Sequence, residues 1–145
     1  RHIVDSAQLN QFAPTSQNWI DIGSGAGLPA LVIAALRRDI QPDFKMTVVE
    51  SDQRKCTFMA EVSRKMDISV RILNKRIETV KFDDFDTISA RALAPLGKLL
   101  EYADPLRAAG ATCLFPKGSN VDQELTEARK HWHTTVYGTT LVFNC

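Results

Sequence analysis

Residues 20–34 read Ile-Asp-Ile-Gly-Ser-Gly-Ala-Gly-Leu-Pro-Ala-Leu-Val-Ile-Ala, IDIGSGAGLPALVIA. An apolar strand-like run enters three glycines at alternate positions, Gly23, Gly25 and Gly27, and an apolar helix-like run leaves them. Glycine tolerates positive φ and lets a ligand touch the backbone. At the start of a helix, free N–H groups also face whatever lies there. The stretch therefore predicts a strand, a ligand-contacting loop and a helix. A plain strand-to-helix turn would need fewer glycines.

The same alternation continues on both sides of this stretch. Strands are expected over 19–22, 45–50, 69–73, 86–90 and 111–115, the last one following a turn at Gly110. Helices are expected over 28–38, with Pro29 in the first turn, and from a Ser51 or Asp52 cap to about Met66. Two more fall over 96–103 and 121–131, and 134–143 reads as one strand or as two broken at Gly138. Strand and helix alternating at this spacing predict an α/β, Rossmann-like fold: a mostly parallel twisted sheet with helices on both faces. In such sheets a ligand lies beyond the carboxyl ends of the strands, where the strand order switches. The glycine loop is at that address.

Length and composition narrow the class. The chain has 145 residues, enough for one domain with a real core. Hydrophobic residues make up 44% and charged residues 24%, ordinary values for a water-soluble fold. No apolar run is long enough to span a bilayer, and no segment reads as a signal peptide. Cys56, Cys113 and Cys145 contain no Cys-x-x-Cys pair, which argues against a disulfide framework or zinc ribbon and suits a reducing cytosol. His131-Trp132-His133 offers two histidines and no third ligand, so no metal site is expected. A net charge of +1 neither demands nor excludes a nucleic-acid partner.

Spacing tests the glycine loop against known ligand loops. A phosphate-binding Walker loop needs Gly-Lys-Ser/Thr where Leu28-Pro29-Ala30 stand. A serine-hydrolase elbow needs Ser where Gly25 stands. Gly25-Ala26-Gly27-Leu28-Pro29-Ala30 does satisfy the dinucleotide pattern Gly-x-Gly-x-x-Ala. The S-adenosylmethionine loop, an acidic residue followed by Gly-x-Gly-x-Gly, fits as Asp21 through Gly27. A carboxylate beside the loop suits a ligand with an ammonium and a sulfonium, and penalises a diphosphate. Glu50, at the end of the second strand, can accept both ribose hydroxyls of either adenosine cofactor.

Beyond the loop, the chain resembles the RsmG (GidB) family of bacterial 16S rRNA guanine-N7 methyltransferases. The matching stretches are residues 1–6 (RHIVDS), 21–29 (DIGSGAGLP), Glu50-Ser51 with Arg54, Lys55 and Phe58, Arg76-Ile77-Glu78, Ser89-Ala90-Arg91-Ala92 within the ARALAPL segment that ends at Leu96, and Lys117-Gly118. The resemblance implies a class I methyltransferase fold, one domain over 1–145 lacking the family's first helices and last strand, and S-adenosylmethionine as cofactor. It implies transfer of a methyl group to guanine N7 of 16S rRNA or the small ribosomal subunit, by a monomer in the cytoplasm without membrane attachment. By position it implies a cofactor site of Asp21, Gly23, Gly25, Gly27, Leu28, Glu50, Ile77, Glu78 and Arg91. Asp21 and Arg91 are the positioning candidates, with no catalytic base, and Arg54, Lys55 and Lys117 the candidates for RNA contact. Ser24, Glu50 and Ile77 depart mildly from the family pattern, and nothing in the sequence reveals a role for His2.

N7 of guanine has a lone pair and no proton to lose, so the expected chemistry needs positioning and no base. Two further readings stand beside it: a nicotinamide-dependent oxidoreductase on the same loop, and a module that binds cofactor or RNA without turnover. Asp21 speaks against the first, as does the lack of a Tyr-x-x-x-Lys partner.

Overall fold

The computed structural model describes residues 2–81, 84–117, 122–130, 133–137 and 140–144. Five strands run parallel, at or near the expected positions: β1 (Asn18–Ile22), β2 (Lys45–Glu50), β3 (Val70–Asn74), β4 (Phe85–Ala90) and β5 (Arg107–Pro116). Residues 133–144 add an antiparallel pair, β6 (His133–Tyr137) and β7 (Thr140–Asn144), with β7 against β5. The sheet order is β3-β2-β1-β4-β5-β7-β6. β1 thus sits between β2 and β4, at the point where the order reverses, and its following loop opens there.

Among the described residues the sheet is joined by five α-helices: α1 (His2–Leu9), α2 (Ala30–Arg37), α3 (Gln53–Lys65), α4 (Leu96–Ala103) and α5 (Asp122–Ala128). Successive strand residues point to opposite faces, so each buried strand feeds two cores. Ile20, Ile22, Val49, Ile88, Cys113 and Phe115 pack under α4 and α5 with Leu99, Leu100 and Leu125. Trp19, Met46, Val48 and Leu114 pack under α1, α2 and α3 with Leu9, Ile33 and Met59. Both faces are covered, which is why β1 and β2 read as nearly continuous apolar runs.

Three local expectations change. The helix expected from Leu28 begins at Ala30, because Gly27 and the Leu28-Pro29 step complete the loop; Leu31 N–H closes back on Gly27 O at 2.8 Å. Gly110 is no turn before a strand. It lies inside β5 with φ +76, and the β4–β5 register shifts between Phe85 and Thr87, so it serves as an irregularity within a longer strand. Residues 2–9, read only as a family string, form a helix. Gly118, His131, Trp132 and Gly138, which carried expectations, lie outside the described residues.

A buried arginine fastens α1 to the body. Arg37 is 1% exposed. Its guanidinium donates to Asn10 Oδ1 (2.7 Å), Ser16 O (2.7 Å) and Ala13 O (2.6 Å), and lies over the rings of Trp19 and Phe44. Among the described residues no helix is long and apolar enough to cross a membrane.

Candidate functional site

The chain leaves β1 and turns sharply through all three glycines. Gly23, Gly25 and Gly27 have φ of +66, +60 and +87. Only their surroundings differ. A Cβ on Gly27 would lie 2.3 Å from Leu31 Cδ1, and one on Gly23 would lie 2.5 Å from Leu93 Cδ1. A Cβ on Gly25 would meet nothing closer than Gly23 O at 4.0 Å. Gly23 and Gly27 let the loop pack, whereas Gly25 leaves open space above its backbone.

That space belongs to a cavity of about 430 Å³ at the carboxyl ends of the strands. Gly23 and Gly25 line it from the loop, and Val49, Glu50 and Ser51 from the end of β2. Lys75, Arg76, Ile77 and Glu78 follow β3; Arg91, Ala92 and Leu93 follow β4; Lys55 comes from the first turn of α3 and Tyr102 from α4. Ala92 takes φ +50, unusual for a residue with a side chain, within the turn that brings this segment to the cavity. Of the cofactor-site expectations, Gly23, Gly25, Glu50, Ile77, Glu78 and Arg91 are brought together here. Asp21, Gly27 and Leu28 are not among the lining residues.

Glu50 is the organising carboxylate. Its Oε2 accepts from Gly25 N–H and its Oε1 from Asp52 N–H, each at 2.9 Å. The β2–α3 turn around it is tied by Asn74, whose side-chain amide donates to Glu50 O (3.0 Å) and Ser51 O (3.1 Å). Asp52 caps α3, accepting Arg54 N–H at 2.8 Å. On the far wall the Tyr102 hydroxyl donates to Glu78 Oε1 at 3.2 Å. The Glu78 carboxyl is held below its ordinary range chiefly by its own backbone N–H, with Tyr102, Arg76 and Lys98 adding to the effect.

Asp21 is wholly buried beneath the loop. Its Oδ1 accepts from Ser89 Oγ at 2.6 Å, and Ser89 Oγ in turn accepts from Trp19 Nε1 at 2.9 Å. Burial pushes the Asp21 carboxyl up from 3.8 to about 6, with the Ser24 and Ser89 hydroxyls drawing it partly back. The Ser24 influence stops short of a well-formed bond: Asp21 Oδ2 and Ser24 Oγ have no hydrogen-bond partner, two buried polar atoms side by side at the base of the loop.

The cations divide into two groups. Lys55, Lys75, Arg76 and Arg91 line the cavity, and none of them forms a salt bridge among the described residues. Elsewhere basic side chains pair with carboxylates, as in Arg38–Asp39, Lys65–Glu61 and Arg107–Asp104. Two of the RNA-contact expectations fall in this second group. Arg54 points to solvent beside Asp52, 95% exposed, and Lys117 is engaged by Glu124 (3.1 Å) and Ala94 O (3.0 Å). Asn74 and Tyr102 carry no expectation from the sequence, and His2 only a place in the family string. His2 is the least expected: it opens α1, and its ring nitrogen Nδ1 meets Arg91 Nη2.

With this geometry in place, comparison with known proteins is informative. The family model described as rRNA small subunit methyltransferase G matches residues 1–144. The protein named ribosomal RNA small subunit methyltransferase G from Dinoroseobacter shibae is 48% identical over 133 residues, covering 91% of this chain and 68% of that protein. Its namesake from a Ruegeria species is 45% identical, covering 91% of this chain and 64% of that protein. The chain thus spans about two thirds of the length of these relatives. Among solved structures, a methyltransferase from Geobacter sulfurreducens superposes with a TM-score of 0.77 at 15% identity, over 99% of this chain and 78% of that one. A caffeoyl-CoA O-methyltransferase structure from Staphylococcus aureus gives 0.71 at 16% identity, over 97% and 82%. At such identities the likeness is one of fold, the Rossmann-like fold of class I methyltransferases. The chain belongs to the rRNA small subunit methyltransferase G family.

Proposed function

We propose that the chain transfers a methyl group from S-adenosylmethionine to N7 of a guanosine in 16S ribosomal RNA, by direct in-line displacement, acting in the cytoplasm as a monomer. The observation that carries this reading is the Gly25–Glu50 corner. Open space over a positive-φ glycine and a cavity-lining carboxylate suit an adenosine ligand that reaches the backbone. Family membership supports the choice of S-adenosylmethionine over a dinucleotide. When bound, that cofactor supplies an electrophilic methyl group on a sulfonium sulfur.

The residues divide the remaining work. Glu50 would hold the ribose, with its own orientation fixed by two backbone N–H groups. Ile77 and Glu78 would flank the adenine, and Gly23 and Gly25 the methionine portion. Asp21, beneath the loop, would supply negative charge toward the cofactor's ammonium. Guanine N7 needs no base, so the protein's task is to orient the base and exclude water. The unpaired cations at the rim would hold RNA phosphates, whose contacts set register. Lys55, which lines the cavity, would be one of them, and Arg54 and Lys117 would act only at the periphery.

Incubating the protein with methyl-labelled cofactor and small-subunit rRNA lacking the modification tests this reading. Nucleoside mass spectrometry should find 7-methylguanosine; label on another atom or base would overturn it.

A further inference from the structure

α4 begins at Leu96, and the residue before it, Pro95, offers no side-chain cap. The first N–H groups of a helix have no partner within it, so Leu96 N–H must find one elsewhere. It finds one 28 residues further on, in α5: Leu96 N–H donates to Glu124 Oε2 at 2.9 Å. Lys117 Nζ lies 3.1 Å from the same oxygen and donates to Ala94 O at 3.0 Å. One carboxylate and one ammonium thus tie α5 and the end of β5 to two backbone groups at the start of α4. The Lys117 side chain is only 16% exposed, so solvent screens this pair less than the surface pairs at Arg38 and Lys65. Burial draws the Glu124 carboxyl upward, but Leu96 N–H and Lys117 more than offset it and hold the group below its ordinary range.

What this pair fastens is a wall of the cavity. Residues 91–95 join β4 to α4 outside any regular element, and Arg91, Ala92 and Leu93 line the cavity. Ala92 takes φ +50, and Leu93 Cδ1 sits 2.5 Å from where a Cβ on Gly23 would be. A backbone of this kind persists only where its surroundings determine it. β4 fixes one end of the segment; Lys117 and Glu124 fix the other. Neither of these two is among the lining residues themselves.

We infer that Glu124 is a positioning residue for the cofactor cavity: from α5, together with Lys117, it holds segment 91–95 so that Arg91 and Leu93 form the β4 wall against the glycine loop. The inference rests on the reading of this cavity as the S-adenosylmethionine site. It gives Lys117 a role toward the cofactor that acts through the backbone of the segment.

S-adenosylhomocysteine affinity by calorimetry and urea unfolding are measured side by side in the parent and five variants. Glu124→Ala removes the acceptor, Glu124→Gln keeps an oxygen there, and Lys117→Met removes the ammonium. The fourth combines Lys117→Met with Glu124→Ala. The fifth, Val142→Ala, thins the core on the opposite face of the sheet, away from the cavity. Affinity should fall roughly tenfold in Glu124→Ala and in Lys117→Met, and Glu124→Gln should recover most of it. The double variant should bind about as well as the weaker single one, because the two side chains act as one unit. Val142→Ala should lower the urea midpoint and leave affinity at the parent's. A merely structural role predicts lower midpoints with unchanged affinity in the Glu124 and Lys117 variants, and that result would overturn the inference. So would additive losses in the double variant, or an equal loss of affinity in Val142→Ala. Should Glu124→Ala not fold, Glu124→Gln against Lys117→Met decides: equal affinity in these two and the parent overturns the inference. If the parent itself binds no S-adenosylhomocysteine, the cofactor reading fails and the inference with it; if the parent binds and the variants match it, the inference alone fails.

Discussion

Glu50 Oε2 accepts the backbone N–H of Gly25 at 2.9 Å, across the gap between β2 and the glycine loop. One carboxylate thereby sets the conformation of the loop and faces the same cavity. Its second oxygen is taken by Asp52 N–H, so neither rotates freely. Glu50→Gln preserves size but turns an amide toward one of these two N–H groups. An unsatisfied pairing of this kind costs about 1–3 kcal/mol. We expect S-adenosylhomocysteine affinity to fall at least tenfold by calorimetry, with a smaller loss of stability in urea.

The glycines separate binding from stability. Gly25→Ala meets open space and bears only the backbone cost of a left-handed residue, about 1–2 kcal/mol. Gly27→Ala bears that cost and also drives its methyl into Leu31 and Met59. Urea midpoints should drop further for Gly27→Ala. Gly25→Arg should keep a cooperative transition while abolishing cofactor binding.

Asp21 should leave a pH signature. Its folded value, about 6, lies above the ordinary 3.8, so between those values the native state binds more protons than the unfolded state. Its contribution to stability is then present below about pH 4, declines as pH rises to 6, and is flat above. The full difference is about 3 kcal/mol at most. Asp21→Asn should abolish this slope, and its amide can donate to the unpartnered Ser24 Oγ. Stability of the variant relative to the parent should therefore increase from pH 4 to 6. Denaturant titrations across that range check the sign.

Arg37→Met removes the clasp that binds Asn10, Ala13 and Ser16. Ala13 O would keep only the Ser16 N–H and Ser16 O only the Gln41 amide, Asn10 Oδ1 would lose its Arg37 donor, and the variant should lose about 1–3 kcal/mol. Urea unfolding at constant m-value measures this.

Much of this architecture is legible in the residues. Lys45–Glu50 and Leu96–Ala103 form the expected elements at the expected bounds, because β-branched density and amphipathic spacing are strong there. The glycine loop and Glu50 are legible because few other arrangements need such residues at such spacing. What escapes is tertiary. Ile3 and Val4 are exposed while Ser6 and Leu9 are buried, so α1 shows little of the usual apolar stripe. Gly110 reads as a turn because an irregularity inside a strand has the same local chemistry. Pairing of Lys117 with Glu124, and of His2 with Arg91, depends on loops and topology that bring distant segments together. The full burial of Asp21 likewise follows from packing on both faces of the sheet, which no local pattern records.

The central claim is that the Gly25–Glu50 cavity holds the methyl donor. Calorimetric titration of S-adenosylhomocysteine into the parent and into Gly25→Arg, with NADH as control, tests it most directly. The account predicts saturable one-site binding to the parent, none to Gly25→Arg although its urea transition stays cooperative with a midpoint near that of Gly25→Ala, and no response to NADH. Binding that survives Gly25→Arg, or binding of NADH in place of S-adenosylhomocysteine, would contradict it.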